Sequence, residues 1–165
     1  MSQARYPHLL APGRIGTMEL RNRIVVMAMG VSLAEEDGTV GDRALAYHEE
    51  QAKGGAGLII SGATGVAWPV AAVQKNQLAI SDDRFIPGLR RLAEAIHAHG
   101  AKFGVQLHQG GLVAAYSLRW GHPLWCPSLP HFDMNDEQIT DAFVESELQA
   151  AAAAPPLKFV FKEVT

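Results

Sequence analysis

Cysteine is nearly absent. Cys126 stands alone in the chain, which excludes an intramolecular disulfide and a thiolate metal cluster and leads us to expect a reducing, cytoplasmic setting. A dominant charge is also lacking. The formal net charge is -3, with no sustained basic run, so a general nucleic-acid binder, which would usually carry a basic patch, is not expected. No apolar run approaches the roughly 18 residues of a membrane helix. The N-terminus, Met1-Ser-Gln-Ala-Arg-Tyr-Pro7, lacks the apolar stretch of a signal peptide. His8, His48, His122 and His131 show no metal-ligand spacing such as HExxH. Two phosphate-binding signatures are missing as well. The loop after Met29-Gly30-Val31-Ser32 has no dinucleotide-type glycine spacing, and nowhere is there a GxxxxGK[ST] loop.

What is present is an alternation of apolar strands and amphipathic helices. At 165 residues, 48% of them hydrophobic and 19% charged, the chain suits one globular domain. After an irregular arm with Pro7 and Pro12, Gly13 to Ile24 reads as a short hairpin that turns at Thr17-Met18-Glu19. Arg23 to Met29 is a β-branched and apolar run of the kind expected in a parallel strand covered on both faces. Asp37-Gly38 marks a turn. Asp42 is expected to cap a helix with Leu45, Ala46 and Ala52 on its apolar face, stopped at Lys53-Gly54-Gly55. Gly57 to Gly62 is a second short strand. A long loop from Ala63 to Arg84 follows, carrying Trp68-Pro69. Ser81-Asp82-Asp83 precedes a helix from about Phe85 to His99, with Ile86, Leu89, Leu92, Ala93 and Ile96 at helical spacing and Gly100 as its cap. The segment Ala101-Lys-Phe-Gly-Val-Gln-Leu-His-Gln-Gly-Gly111 then reads as a buried third strand with a polar tip.

The order hairpin, β, α, β, α, β is that of βαβ units in a parallel sheet. Such units build either a doubly wound sheet or a (β/α)8 barrel. The missing dinucleotide fingerprint favours the barrel, yet a whole barrel needs about 250 residues. The fold class expected is therefore α/β, a partial TIM barrel of three βα units behind an N-terminal hairpin. Beyond Gly111 an irregular loop, a helix over about 136–153 and an extended Leu157–Lys162 segment are expected. Thr165 would suit a further helix cap, so the chain reads as truncated.

Several spaced motifs carry a resemblance. Asn22-Arg-Ile-Val-Val-Met-Ala-Met-Gly30, Asp37-Gly38, Gly57-Leu-Ile-Ile-Ser-Gly-Ala-Thr-Gly65, Asp82-Asp83 and Val105-Gln-Leu-His-Gln-Gly110 together resemble the N-terminal portion of the old yellow enzyme family. The branch it is most similar to holds 2,4-dienoyl-CoA reductases and NADH:flavin oxidoreductases. The resemblance spans about residues 6–130. It implies an FMN-binding TIM-barrel oxidoreductase domain over 1–165. Hydride would pass from NAD(P)H through FMN to an alkene conjugated to a carbonyl, with a small-molecule substrate, no nucleic acid and no membrane. It implies flavin contacts at Ala28, Met29 and Gly30, at Ala63, and at Gln106, whose amide would hydrogen-bond the pyrimidine part of the ring. It also marks departures. Ala28 stands where Pro is more frequent, Gly30 where a Thr or Cys would touch the flavin, and Ser32 where some relatives carry a tyrosine. Gln109-Gly-Gly-Leu112 replaces a His-Ala-Gly-Arg pattern. The family's substrate-gripping histidine pair and its phosphate site would lie beyond Thr165.

Simpler roles compete. His108 suits loop packing better than catalysis. His97 and His99 are ordinary at a helix C-terminus. Glu49-Glu50 and Asp82-Asp83 suit a solvated helix face and a cap, Trp68, Trp120 and Trp125 suit loop anchors as well as pocket walls, and Cys126 suits an inert thiol. Two other functions stay open: a non-catalytic half-barrel that associates through its exposed sheet edge, with homo-oligomers as one outcome, and a different (β/α)8 enzyme of the aldolase or dihydroorotate dehydrogenase kind.

Overall fold

The computed structural model describes residues 5–114, 116–117, 120–122, 124–126 and 162–163. A helical turn, α1 (Pro7–Leu10), opens it, followed by a hairpin of β1 (Gly13–Ile15) and β2 (Met18–Leu20). The tight turn is Gly16-Thr17, because Ile15 pairs with Met18 and Gly16 takes φ +56°, a conformation open to glycine at little cost. The expected turn at Thr17-Met18-Glu19 is corrected accordingly.

Three parallel strands follow with two helices between them. They are β3 (Val25–Val26), α2 (Asp42–Lys53), β4 (Leu58–Gly65), α3 (Ile86–Ala98) and β6 (Lys102–His108). Strand β4 is central, pairing with β3 on one side and β6 on the other. A short strand, β5 (Leu78–Ala79), also pairs parallel with the upper end of β4, through Thr64↔Leu78 and Gly65↔Ala79. The long loop after Ala63 thus carries a strand that its polar punctuation hides. Farther on, β7 (Trp125–Cys126) pairs with β8 (Lys162–Glu163). The helix expected over 136–153 and most of the Leu157–Lys162 segment lie outside the described residues.

Both helices pack on one face of the sheet. Register places Val26, Ile59 and Phe103 in one row across the strands, and this row packs with Leu92, Ile96, Ala44 and Ala52 in a single core. Ile59, Leu92 and Ile96 are fully buried, each worth about 1.5–3 kcal/mol relative to exposure. The other face is open. Met27 and Met29, continuing the alternation from Val25, are 63% and 62% exposed. Leu107, on the same side of β6 as Phe103 but farther toward the strand's carboxyl end, is 65% exposed, and among the described residues β6 has no second neighbour. Neither the Arg23–Met29 run nor the Ala101–Gly111 segment is therefore a fully buried strand. Among the described residues the first forms ladder pairs only at Val25 and Val26, and the second is a sheet edge.

Helix α2 begins after Gly41, with Asp42 as its first residue rather than its cap. Its buried positions are Ala44, His48 and Ala52, spaced by four, whereas Ala46 points to solvent about 200° around the helix from Ala44. Asp82 does cap the turn before α3, its carboxylate accepting from Arg84 N at 2.9 Å. Ile86 at the start of α3 is exposed, and Gly100 ends the helix at φ +75°. The Glu49-Glu50 pair is a solvated face: both carboxylates bond Lys53, at 3.3 and 2.8 Å.

The hairpin is fastened under the sheet by Arg21. Its guanidinium donates to Ala52 O and Ala56 O at the end of α2, and to His99 O at the end of α3. Carbonyls at helix C-termini lack intrahelical donors, and a cation there also opposes the negative dipole end. One side chain thereby ties two helices to β2. We expect Arg21→Met, which keeps the stem and drops the donors, to lower unfolding free energy by about 2 kcal/mol in urea melts, with Arg21→Lys recovering only part of the loss.

Candidate functional site at the strand tips

The carboxyl ends of β3, β4 and β6 converge on a surface formed largely by backbone and small side chains. In parallel α/β sheets this end holds ligands. A larger groove of about 860 Å³ lies elsewhere, lined by hairpin residues including Arg14, Glu19 and Arg23. It is open and lies at the amino ends of the strands, so the strand tips are the better candidate.

A β-bulge sets the geometry of the tips. Strands β4 and β6 run in register from Leu58↔Lys102 to Ile60↔Gly104, and pairing resumes at Ala63↔Gln106. Three steps along β4 match two along β6. The extra residue falls at Ser61-Gly62, the usual two-against-one count of a bulge. Without it Gly62 would sit opposite Gln106. With it, Ala63 turns to the open face beside the Gln106 amide. Buried hydroxyls hold the bend: Thr64 Oγ1 donates to Gly62 O at 3.0 Å and lies 3.1 Å from Ser61 Oγ. Gly62 also has no room for a side chain, since a β-carbon there would run into the carbonyl oxygen of Met29. The bulge thus brings the end of the first strand down against the second.

The five residues singled out for the cofactor divide in two. Met29, Gly30 and Ala63 line one small cavity of about 20 Å³, room for about one water; Ala28 adjoins them in the chain. Gln106 is exposed on β6 in register with Ala63, and its amide makes no hydrogen bond among the described residues. His108 sits beside Gly65 in register, with Nδ1 buried and unpartnered. Ser32 is exposed at φ +51°. Trp68 is an anchor, its ring packed against Gly38.

Four polar residues at this cavity had no place in the sequence reading of the tips: His48, Gln74, Asn76 and Gln77. Gln77 is 1% exposed; its Oε1 accepts from Val73 N at 3.0 Å and its Nε2 is buried without a partner. His48 reaches the cavity from α2, its Nδ1 bonded to Ala44 O at 2.8 Å. A carbonyl accepts only from N–H, so Nδ1 carries the proton. Burial holds the His48 pKa below its ordinary 6.5, opposed by that hydrogen bond. Its spacing with Ala44 and Ala52 was the available signal, because a histidine on an apolar stripe is a buried one. For the bulge the signal was the isolated Gly62 inside a strand. Among the described residues no three His, Cys, Asp or Glu side chains are grouped to hold a metal ion.

With this geometry established, comparison with known proteins identifies the family. The sequence profile of the NADH:flavin oxidoreductase / NADH oxidase family matches residues 8–152. The chain belongs to that family. A NADH oxidase of Thermoanaerobacter brockii is 35% identical over 159 residues, covering 90% of this chain and 24% of the relative. A metal reductase of Desulforamulus reducens is 44% identical over 120 residues, covering 73% and 17% respectively. Among solved structures, the old yellow enzyme of Pichia sp. AKU4542 superposes with a TM-score of 0.73 at 25% identity, covering 96% of this chain and 38% of that one. The chain thus spans about a quarter of the T. brockii relative's length. As a member of the flavin oxidoreductase family it shares the α/β architecture and parallel sheet of the old yellow enzymes, as its motifs led us to expect.

Two measurements check this site. Thr64→Val keeps the shape and removes one of the two hydroxyls within reach of Gly62 O, leaving Ser61 Oγ as its donor at 3.2 Å, and it should cost about 1 kcal/mol in chemical melts. His48 gives a pH dependence. Its folded pKa lies below the unfolded 6.5, so the unfolded chain binds the proton first as pH falls. Stability should be full above pH 6.5 and decline as pH drops from there toward the folded value. His48→Gln should flatten that part of the Tm–pH profile. Glu49, whose pKa is lowered from 4.5 by hydrogen bonds from His99 and Lys53, acts in a separate, more acidic window.

Proposed function

We propose that this chain is the N-terminal part of an FMN-dependent oxidoreductase of the old yellow enzyme kind, built as the first three βα units of a (β/α)8 barrel. The open tips of β3, β4 and β6 would face the flavin. Family membership supports the oxidoreductase class and the use of flavin and NAD(P)H. The observation that carries the site assignment is the Ala63↔Gln106 register, which sets a free carboxamide beside a side chain of a single methyl group on the open face.

The residues present fit the polar edge of a flavin ring. Gln106 offers a donor and an acceptor on one group, the pattern that a pyrimidine edge of alternating N–H and C=O requires. Ala63 and Gly30 let a flat ring lie close to backbone. Ala28 and Met29 complete the floor, and the exposed Met29 side chain gives apolar contact. The buried, unpartnered atoms Gln77 Nε2 and His108 Nδ1 leave further hydrogen-bonding capacity at this end of the sheet. When bound, FMN supplies hydride transfer from NAD(P)H to an electron-poor acceptor; the substrate class we propose is an alkene conjugated to a carbonyl. The part assigned to these residues is to bind and orient the ring, and the groups that grip the substrate belong to later strands of the barrel.

A second reading has its own observation. The open sheet face with Met27 and Met29, and an edge of β6 that has no neighbour among the described residues, would suit a fragment that associates instead of turning over. Titration with FMN followed by flavin fluorescence and the visible absorption bands decides between them. We expect saturable binding by the wild type, weakened about tenfold in Gln106→Leu, as the loss of two hydrogen bonds worth about 0.7 kcal/mol each would give. A chain that stays colourless and takes up no FMN overturns the flavin reading, and oligomers by light scattering would then favour the second.

A further inference from the structure

We propose that Gln74 supplies, from the long loop, the side chain that Gly30 lacks, and that its carboxamide is a flavin-positioning group at the tip of the first strand. This rests on the flavin reading above.

The evidence is the space beside Gly30. A β-carbon built there falls 2.9 Å from Gln74 Oε1, 3.0 Å from Nε2 and 3.3 Å from Cδ. The oxygen and nitrogen are nearer that point than Cδ, so the amide meets it end-on, through its polar edge. The tip of the carboxamide therefore fills the position a side chain at residue 30 would enter. Glycine at 30 is what admits Gln74, and Gln74 is what occupies the volume glycine leaves.

The loop holds Gln74 in place. On its N-terminal side Val73 N donates to Gln77 Oε1 at 3.0 Å. On its C-terminal side Lys75 pairs with Glu36 at 2.9 Å. Asn76 Nδ2 donates to Ala34 O at 2.7 Å, and Ala34 N donates back to Asn76 O at 3.0 Å. The first of these braces the loop internally, and the others sew it to the segment after the first strand. Gln74 itself is half-buried and lines the cavity shared with Met29, Gly30 and Ala63. Neither amide atom has a hydrogen-bond partner among the described residues, and neither is sealed off. A loop fastened on both sides thus presents a free donor and a free acceptor next to the surface proposed for the ring. An amide in that place would bond either an acceptor or an N–H on the ring's edge, where a hydroxyl or thiol at residue 30 would make a single contact.

The test compares wild type, Q74A, G30S and the double variant G30S/Q74A. It reads FMN affinity, the position of the bound flavin's visible band, its midpoint potential and the melting of flavin-free protein. We expect Q74A to melt with the wild type, to bind FMN about fivefold more weakly, and to shift both the band and the potential. G30S should destabilise the chain when Gln74 is present and be tolerated when it is not. The double variant should regain part of the affinity, since a hydroxyl then stands where the amide stood. Loaded wild type and loaded Q74A with the same affinity, band and potential would overturn the role of Gln74 alone. A wild type that takes up no FMN would overturn the flavin reading and this role together. A G30S penalty unchanged by Q74A would remove the packing basis of the proposal.

Discussion

The candidate site depends on one extra residue in the central strand. Between Ile60 and Ala63 the ladder with β6 slips by one, and every side chain after the slip changes faces relative to a regular strand. That slip turns Ala63 toward Gln106. It also places Gly62 against the Met29 carbonyl, where only a hydrogen at Cα fits. Strands β3 and β6 do not touch each other, so their relation is carried through β4. The buried hydroxyls of Ser61 and Thr64 hold the carbonyl that the bulge takes out of the ladder. An apolar pair there would leave that oxygen without its donor in the interior, at about 1–3 kcal/mol. The bulge is thus stabilised where it is by the two residues that look least at home in an apolar strand.

The molecule's asymmetry follows from where its helices lie. Helices α2 and α3 cover the face carrying Val26, Ile59 and Phe103, and the core is drawn from that side. Arg21 locks the arrangement from below by taking both helix C-termini at once. The opposite face, with Met27 and Met29, is left apolar and open. In a sheet wound with helices on both faces such residues would be covered. An uncovered inner face is what a barrel segment presents when the strands that would face it are not among the described residues. That open face suits the barrel segment proposed above, and the chain superposes on an old yellow enzyme with a TM-score of 0.73.

Much of this was legible in the chain because it depends on local pattern. The period of α3, its Asp82 start signal and its Gly100 stop are short-range properties, and the element followed them. The alternation of strand and helix was likewise sufficient for the parallel order. The misses share a different cause. Strand β5 is two residues long and exists because β4 offers it a ladder, so Leu78-Ala79 carries no periodic signal. His48 was set aside for lacking metal spacing, although its position four residues from both Ala44 and Ala52 places it on the buried stripe. The strands looked buried because apolar composition reports a preference for burial, while actual cover depends on neighbours far along the chain. For the same reason Gln106 was found at the tip, whereas the step that puts Ala63 beside it was not.

Gly30 shows how a departure from a family pattern changes meaning once distances are known. In the linear sequence it is a deletion: a side chain expected to touch the cofactor is gone, and nothing nearby replaces it. In space the volume is filled by Gln74, whose three amide atoms all stand within 3.3 Å of where the β-carbon would be. The two positions are therefore not independent. A larger residue at 30 would have to expel the amide, and a smaller residue at 74 would leave a notch beside the strand. Because the loop carrying Gln74 is tied to the segment that follows Gly30, through Asn76 and Ala34, both sides of the contact move as one body. The loop bonds fix where the Gln74 backbone stands, so a ligand has only the side chain's own rotamers left to order, and less entropy is lost than if the loop had to be ordered as well.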